Sequence, residues 1–203
     1  MRELPAPAGP IELPALRIRQ RSGSFCILRL HRVDEALAAS LGRNFGVAWP
    51  VQPNSKSRNA GCVLWMGPRQ WAILGLSPQS VAEYAAASCG PAPYHLADVS
   101  DGLVEFEISG ACARDLLAKG CSLDLHPRVF GADSCAQTLL AQTPVLLHRE
   151  PAAEASFRVH AEASLLQYLR RWFCDAALEW SAGSALSHGH DHVSRMDRRS
   201  NQP

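Results

Sequence analysis

One succession of residue patterns occurs twice in this chain, and that repetition constrains its fold more than any other feature. Residues 24–30 place Phe25, Ile27 and Leu30 among β-formers and read as a strand; a helix follows from Asp34 with Ala36, Leu37 and Leu41 as its apolar positions. Beyond a Pro- and Asn-rich loop at 50–59, strands at 62–66 and 70–74 flank the turn signal Gly67-Pro68. A second helix then runs from Pro78 to about Ser88, with Ser77 as N-cap, Pro78 in the first turn and Gly90 near its end. The order recurs in the second half. Residues 103–108 alternate strictly, with Val104, Phe106 and Ile108 on one face and Glu105 and Glu107 on the other. A helix at 111–119, strands at 138–147 and 157–160, and a long helix from Ser164 complete it. That last helix carries Leu165, Leu169, Trp172, Phe173, Ala176 and Trp180 at helical spacing. The expected fold class is therefore α+β, with duplicated βαββα halves over about 24–92 and 93–183.

The ends read differently. Residues 1–23 contain Pro5, Pro7, Pro10 and Pro14 and are expected as an extended Pro-rich arm, since proline lacks the amide donor that helices and central strands need. Residues 184–203 are polar and unpatterned, carry His188, His190 and His192 and then Arg195, Arg198 and Arg199, and are expected as a disordered tail. No apolar run approaches the roughly 20 residues that span a bilayer, and the first 19 residues lack the apolar stretch of a secretory signal. A cytoplasmic protein is expected. Twenty Lys and Arg against 19 Asp and Glu leave a formal net charge of +1, which provides no general field for nucleic acid or an anionic membrane. The seven cysteines form no CxxC pair and suit reduced thiols rather than disulfides.

Chemistry-bearing candidates are few. Asp98, Ser100 and Asp101 would supply paired carboxylates, but at a loop entering a strand such residues serve local turns. Cys121, near Lys119 and His126, has the neighbours of an activated thiol but no base fixed by sequence, and a free cysteine more commonly behaves as a small buried hydrophobe. The alternating histidines at 188, 190 and 192 suit weak binding of a divalent metal. No GxGxxG, P-loop or nucleophile elbow is present. Trp65 and Trp71 flank a hairpin turn and suit either an interface patch or strand packing. No catalytic, cofactor-binding or metal-binding residue is assigned.

Several blocks nonetheless carry a resemblance. Leu64-Trp-Met-Gly-Pro-Arg-Gln-Trp71 resembles a hairpin of the gamma subunit of heterotetrameric sarcosine oxidase. The blocks Phe45 to Asn54, Asp98 to Gly102, Ile108 to Pro127, Cys135 to Leu140 and Phe157 to Trp172 continue the likeness, which covers about residues 24–180. The resemblance implies the fold of the folate-binding domain of glycine-cleavage aminomethyltransferases. It also implies a non-catalytic structural subunit of a cytoplasmic complex that oxidatively demethylates sarcosine to glycine, passing one carbon to tetrahydrofolate. The implied partners are alpha, beta and delta subunits, which would hold NAD, FAD, FMN, the tetrahydrofolate site and zinc, leaving none on this chain. Two alternatives share the fold: a subunit of a related N-methylglutamate dehydrogenase, and a stand-alone folate-binding enzyme or iron–sulfur assembly factor. Lys119-Gly-Cys121 matches the start of the assembly-factor motif, but Ser122-Leu-Asp-Leu125 replaces the remainder.

Overall fold

A computed structural model describes residues 9–152 and 154–182. Strands β1 (Ile11–Leu13), β2 (Leu16–Arg21) and β3 (Phe25–Leu30) precede helix α1 (Glu35–Phe45), strands β4 (Lys56–Arg58), β5 (Cys62–Gly67) and β6 (Gln70–Leu74), and helix α2 (Pro78–Cys89). Strands β7 (Tyr94–Asp98) and β8 (Leu103–Ser109), helix α3 (Ala113–Ala118), strands β9 (Cys135–Leu140), β10 (Thr143–Arg149) and β11 (Ser156–Glu162), and helix α4 (Leu166–Ala182) follow. The expected tail at 184–203, with the histidines at 188, 190 and 192, lies outside the described residues.

Two antiparallel sheets result, ordered β4-β5-β6-β3-β7 and β1-β2-β8-β11-β10-β9. Aligning them strand for strand equates β3 with β8, β6 with β11, β5 with β10, β4 with β9 and β7 with β2. The duplicated unit is therefore ββαβββα, running β2 to α2 and again β7 to α4. Each first strand pairs into the other unit's sheet: β2 lies against β8, and β7 against β3. This reciprocal exchange ties the halves together through backbone hydrogen bonds.

Local chemistry explains the elements the sequence announces. Asp34 Oδ1 accepts from Leu37 N at 2.9 Å to open α1, and Gly46 closes it at φ 66°. Ser77 caps α2, and the Gly90 N–H returns to Ala86 O. The alternation of β8 buries Val104, Phe106 and Ile108 against α3 and α4 with Leu116, Leu117, Leu169 and Phe173. Cys26, Leu28, Ile73 and Trp71 in the other sheet pack against Leu41, Phe45 and Val81 of α1 and α2. Opposite faces of the two sheets meet through Phe25, Leu64, Ala72, Leu74, Cys135 and Leu146, giving the layer order helix, sheet, sheet, helix.

Four places depart from the sequence reading. The expected arm at 1–23 includes β1 and β2, and Leu16 and Ile18 are core residues, so extended backbone there is sheet and not a separate segment. The strand expected at 138–147 is a hairpin, β9–β10, turning at Ala141 and Gln142 with φ of 50° and 64°. This double left-handed turn fits the twist of the paired strands but uses neither Gly nor Asn, the usual markers. The loop at 50–59 contains the short edge strand β4, and β7 has no counterpart in the sequence reading.

Candidate functional site

Between the sheets lies a layer of buried charge. Period-two alternation sends Lys56 and Arg58 of β4, Glu105 of β8, His148 of β10, and Arg158 and His160 of β11 into it, and Glu150 follows directly after β10. Strand register places His148 opposite Arg158, and His160 opposite Glu105. Lys56, His148 and His160 are 4%, 1% and 4% exposed, values at which an unpartnered charge would be untenable.

Partners are present. Lys56 Nζ lies 3.3 Å from His148 Nδ1 and 3.7 Å from Glu150 Oε1, and donates to Arg149 O. His148 Nδ1 is also 3.2 Å from Glu150 Oε1. The two imidazoles meet at Nε2, 3.2 Å apart, and His160 Nδ1 lies 3.8 Å from Glu105 Oε2. Arg58 pairs with Glu150, and Arg158 with Glu105. Burial, then proximity to Arg158, pulls His160 down to about 3, and burial holds His148 well below 6.5. Both imidazoles are neutral at ordinary pH. Burial also lowers Lys56 from its usual value and raises Cys135 to about 12.

A cavity of about 340 Å³ flanks the layer, walled in part by Arg58, Cys62, Glu105, His148, Glu150 and Arg158. A more apolar groove of about 630 Å³ opens beyond His160, between Phe25, Ile27, Met66, Leu103 and Leu146. Within the layer, cations outnumber carboxylates, both histidines are held neutral, and the buried thiol of Cys135 donates to the carbonyls of Ser55 and Trp65. The arrangement suits electrostatic registration of one half on the other more than acid–base work. Among the described residues, no group of three or more His, Cys, Asp or Glu is placed to hold a metal ion.

The residues singled out in the sequence lie elsewhere. Asp98 Oδ1 accepts from Ser100 N at 3.1 Å and from its hydroxyl at 2.5 Å, while Ser100 Oγ accepts from Phe25 N. These bonds form a turn, and they hold Asp98 below the usual carboxylate range. Cys121 is buried in the second-half core, with its sulfur 3.8 Å from Thr138 Oγ1. Trp71 is core and donates to Pro50 O at 2.7 Å, and Trp65 packs on the same cluster. Lys56, His148, Glu150 and His160 went unselected; the signal for the two histidines was a polar residue at an inward position of a largely apolar strand, and Lys56 and Glu150 carried none.

The profile of the family described as sarcosine oxidase, gamma subunit, matches residues 29–179. The chain belongs to the sarcosine oxidase gamma subunit family. A relative named sarcosine oxidase subunit gamma, from Corynebacterium sp. (strain P-1), is 32% identical over 161 residues, covering 79% of this chain and 73% of its own length. One of the same name from an Arthrobacter species is 33% identical over 147 residues, 72% of this chain and 70% of that protein. In solved structures, a chain of heterotetrameric sarcosine oxidase from Corynebacterium sp. U-96, in complex with pyrrole 2-carboxylate, superposes with a TM-score of 0.75 at 26% identity, covering 85% of this gamma-family chain and 88% of that one. Glycine cleavage system aminomethyltransferase T from Bartonella henselae matches with a TM-score of 0.57 at 11% identity, over 78% of this chain and 45% of that one, and shows the shared fold. The expected α+β class and the aminomethyltransferase-like fold are thus both found.

Proposed function

We propose that this chain is a non-catalytic structural subunit of a heterotetrameric sarcosine oxidase-type complex, which oxidatively demethylates sarcosine to glycine with one-carbon transfer to tetrahydrofolate. The observation that carries the reading is the near end-to-end correspondence with one chain of a heterotetrameric sarcosine oxidase, at 85% and 88% coverage, in a gamma-family sequence. In this reading alpha, beta and delta subunits are the partners, and FAD, FMN, NAD, tetrahydrofolate and zinc reside on them. The chain contributes a rigid body whose halves are locked by strand exchange and by the buried ionic layer.

Supporting the non-catalytic role, the candidate nucleophile Cys121 is packed in the core and the buried histidines are engaged with each other. The test is expression of the tagged full chain in its native background, followed by mass analysis of the eluate. Copurification of three further subunits with sarcosine-dependent peroxide release is expected. A monomer that recruits no flavoprotein, or that binds tetrahydrofolate tightly by itself, would overturn the proposal in favour of a stand-alone folate-binding protein.

A further inference from the structure

The end of β3 remote from His160 carries a second, unrelated feature. Arg29, Leu30 and His31 meet the β5–β6 turn at Pro68, Arg69 and Gln70 and the segment Pro93 to His95, enclosing a pocket of about 480 Å³. Arg29, His31, Arg69 and His95 are all exposed, and no carboxylate lines the pocket.

The concentration of like charge is local, since the chain as a whole carries 20 basic and 19 acidic side chains. Several arginines elsewhere pair with carboxylates, Arg17 and Arg19 with Glu12, Arg21 with Glu107, and Arg32 with Asp34. Arg29 and Arg69 have only neutral partners among the described residues. Arg29 Nη2 donates to Gln70 Oε1 at 2.7 Å, and Arg69 Nη1 donates to His31 O at 2.8 Å. The acid closest along the chain, Asp34, is committed to the α1 cap and to Arg32.

The backbone adds an independent observation. Arg69 has φ 68°, a conformation for which a turn by itself selects Gly or Asn. Its carbonyl accepts from Leu30 N at 2.9 Å while its guanidinium holds His31 O, so the side chain is fixed at both ends. A strained position occupied by a long, anchored cation places charge where turn formation does not require it.

We propose that this pocket docks an acidic segment of a partner subunit, whose carboxylates pair with Arg29 and Arg69. The inference rests on the subunit reading above. Planar guanidiniums offer two-pronged donation to carboxylates, Pro68 and Pro93 give stiff walls, and the Tyr94 ring provides an apolar surface for an acidic side chain's stem.

The test uses the intact copurified complex and the double variant Arg29→Gln with Arg69→Asn. Asparagine suits the positive φ, so the turn is retained, and an unchanged melting temperature of the isolated chain confirms folding. The variant complex is expected to dissociate at roughly tenfold lower concentrations, with a flatter salt dependence, in native mass spectrometry at low and physiological ionic strength. Removing exposed charges elsewhere, as in Arg43→Gln with Arg128→Gln, is expected to leave both readouts unchanged. A wild-type complex matched in affinity and salt response by the double variant overturns the docking proposal and leaves the subunit reading intact. So does that same result accompanied by calorimetric binding of inorganic phosphate at this pocket, which would make it a small-anion site. Failure of the wild-type chain to form any complex removes both.

Discussion

The Nε2 atoms of His148 and His160 lie 3.2 Å apart with ring planes 9° from parallel, so one imidazole donates to the other. His148 Nδ1 faces both the Lys56 ammonium, a donor, and Glu150 Oε1, an acceptor, so either tautomer finds a partner there, while His160 Nδ1 faces Glu105 at the far end. The chain runs from a β4 lysine of one half to a β8 carboxylate of the other, and no member can be removed without stranding its neighbour.

Stability is expected to fall with acid because of this pair. Both imidazoles titrate near 6.5 when unfolded, but His160 holds out to about 3 in the fold, and His148 is also depressed well below 6.5. Below pH 6.5 the unfolded chain takes up protons that the folded chain refuses. Stability is therefore full above that pH and is lost as pH falls toward 3, by about 1.4 kcal/mol per pH unit for each histidine. Urea unfolding at stepped pH measures the slope, and a flat free energy from pH 7 to pH 5 would contradict the buried neutral assignment.

Lys56→Met removes the one cation whose side chain is 2% exposed in this layer, leaving Glu150 and the Arg149 carbonyl without it. Breaking a buried ionic network from one side costs about 3–5 kcal/mol. Arg17→Gln at the surface, whose side chain is 62% exposed beside Glu12, is expected to cost less than about 1 kcal/mol. Comparable losses for the two variants would show that the layer is not a structural tie.

Legibility from sequence followed chemical marking. Helices α1 and α2 are bounded by Asp34, Gly46, Ser77, Pro78 and Gly90, each of which stabilises a particular terminus, and β8 declares its buried face by alternation. The β9–β10 turn hides because Ala141 and Gln142 adopt positive φ with help from outside the turn: Ala141 N donates to Gly120 O, and Tyr168 Oη donates to Ala141 O. β2 hides behind prolines, and its partner β8 is supplied by the other half. The ionic layer is the least legible part. Lys56 sits unmarked in a polar loop sequence, His148 and His160 each follow apolar residues in their strands, and only the stacking of two sheets brings them together.

Gly120→Ala tests the support of that unmarked turn. A methyl group there would lie 2.5 Å from Trp172 Cζ2 and 3.0 Å from Ala141 N, against both α4 and the β9–β10 turn. Overpacking of this kind costs about 1–3 kcal/mol. Combining it with Trp172→Phe is expected to recover part of the loss, since the smaller ring retreats from the new methyl while the Ala141 contact persists. Thermal unfolding of the two single variants and the double variant reads the coupling; strict additivity would mean that the indole does not confine position 120.

Thiol chemistry separates structural from catalytic roles. Cys135 is fully buried, donates to two carbonyls, and is pushed up to about 12 by burial, so at pH 8 roughly one thiol in ten thousand is ionised. Mass-mapped alkylation of the native chain is expected to leave Cys135 unmodified while partly exposed Cys112 reacts. Cys121 matters more to mechanism, because its position after Lys119-Gly120 invites a nucleophilic reading. Its sulfur is enclosed by the second-half core, and Thr138 Oγ1, at 3.8 Å, supplies no base. Cys121→Ser replaces sulfur with a more polar oxygen beside that hydroxyl, which costs packing but removes no acid or base. In reconstituted complexes, sarcosine turnover per assembled tetramer is expected to stay within a few-fold of the parent. Normalising to assembled complex keeps a stability loss from imitating a chemical one. A serine variant that assembles fully yet turns over nothing would make Cys121 a catalytic residue and end the structural-subunit reading.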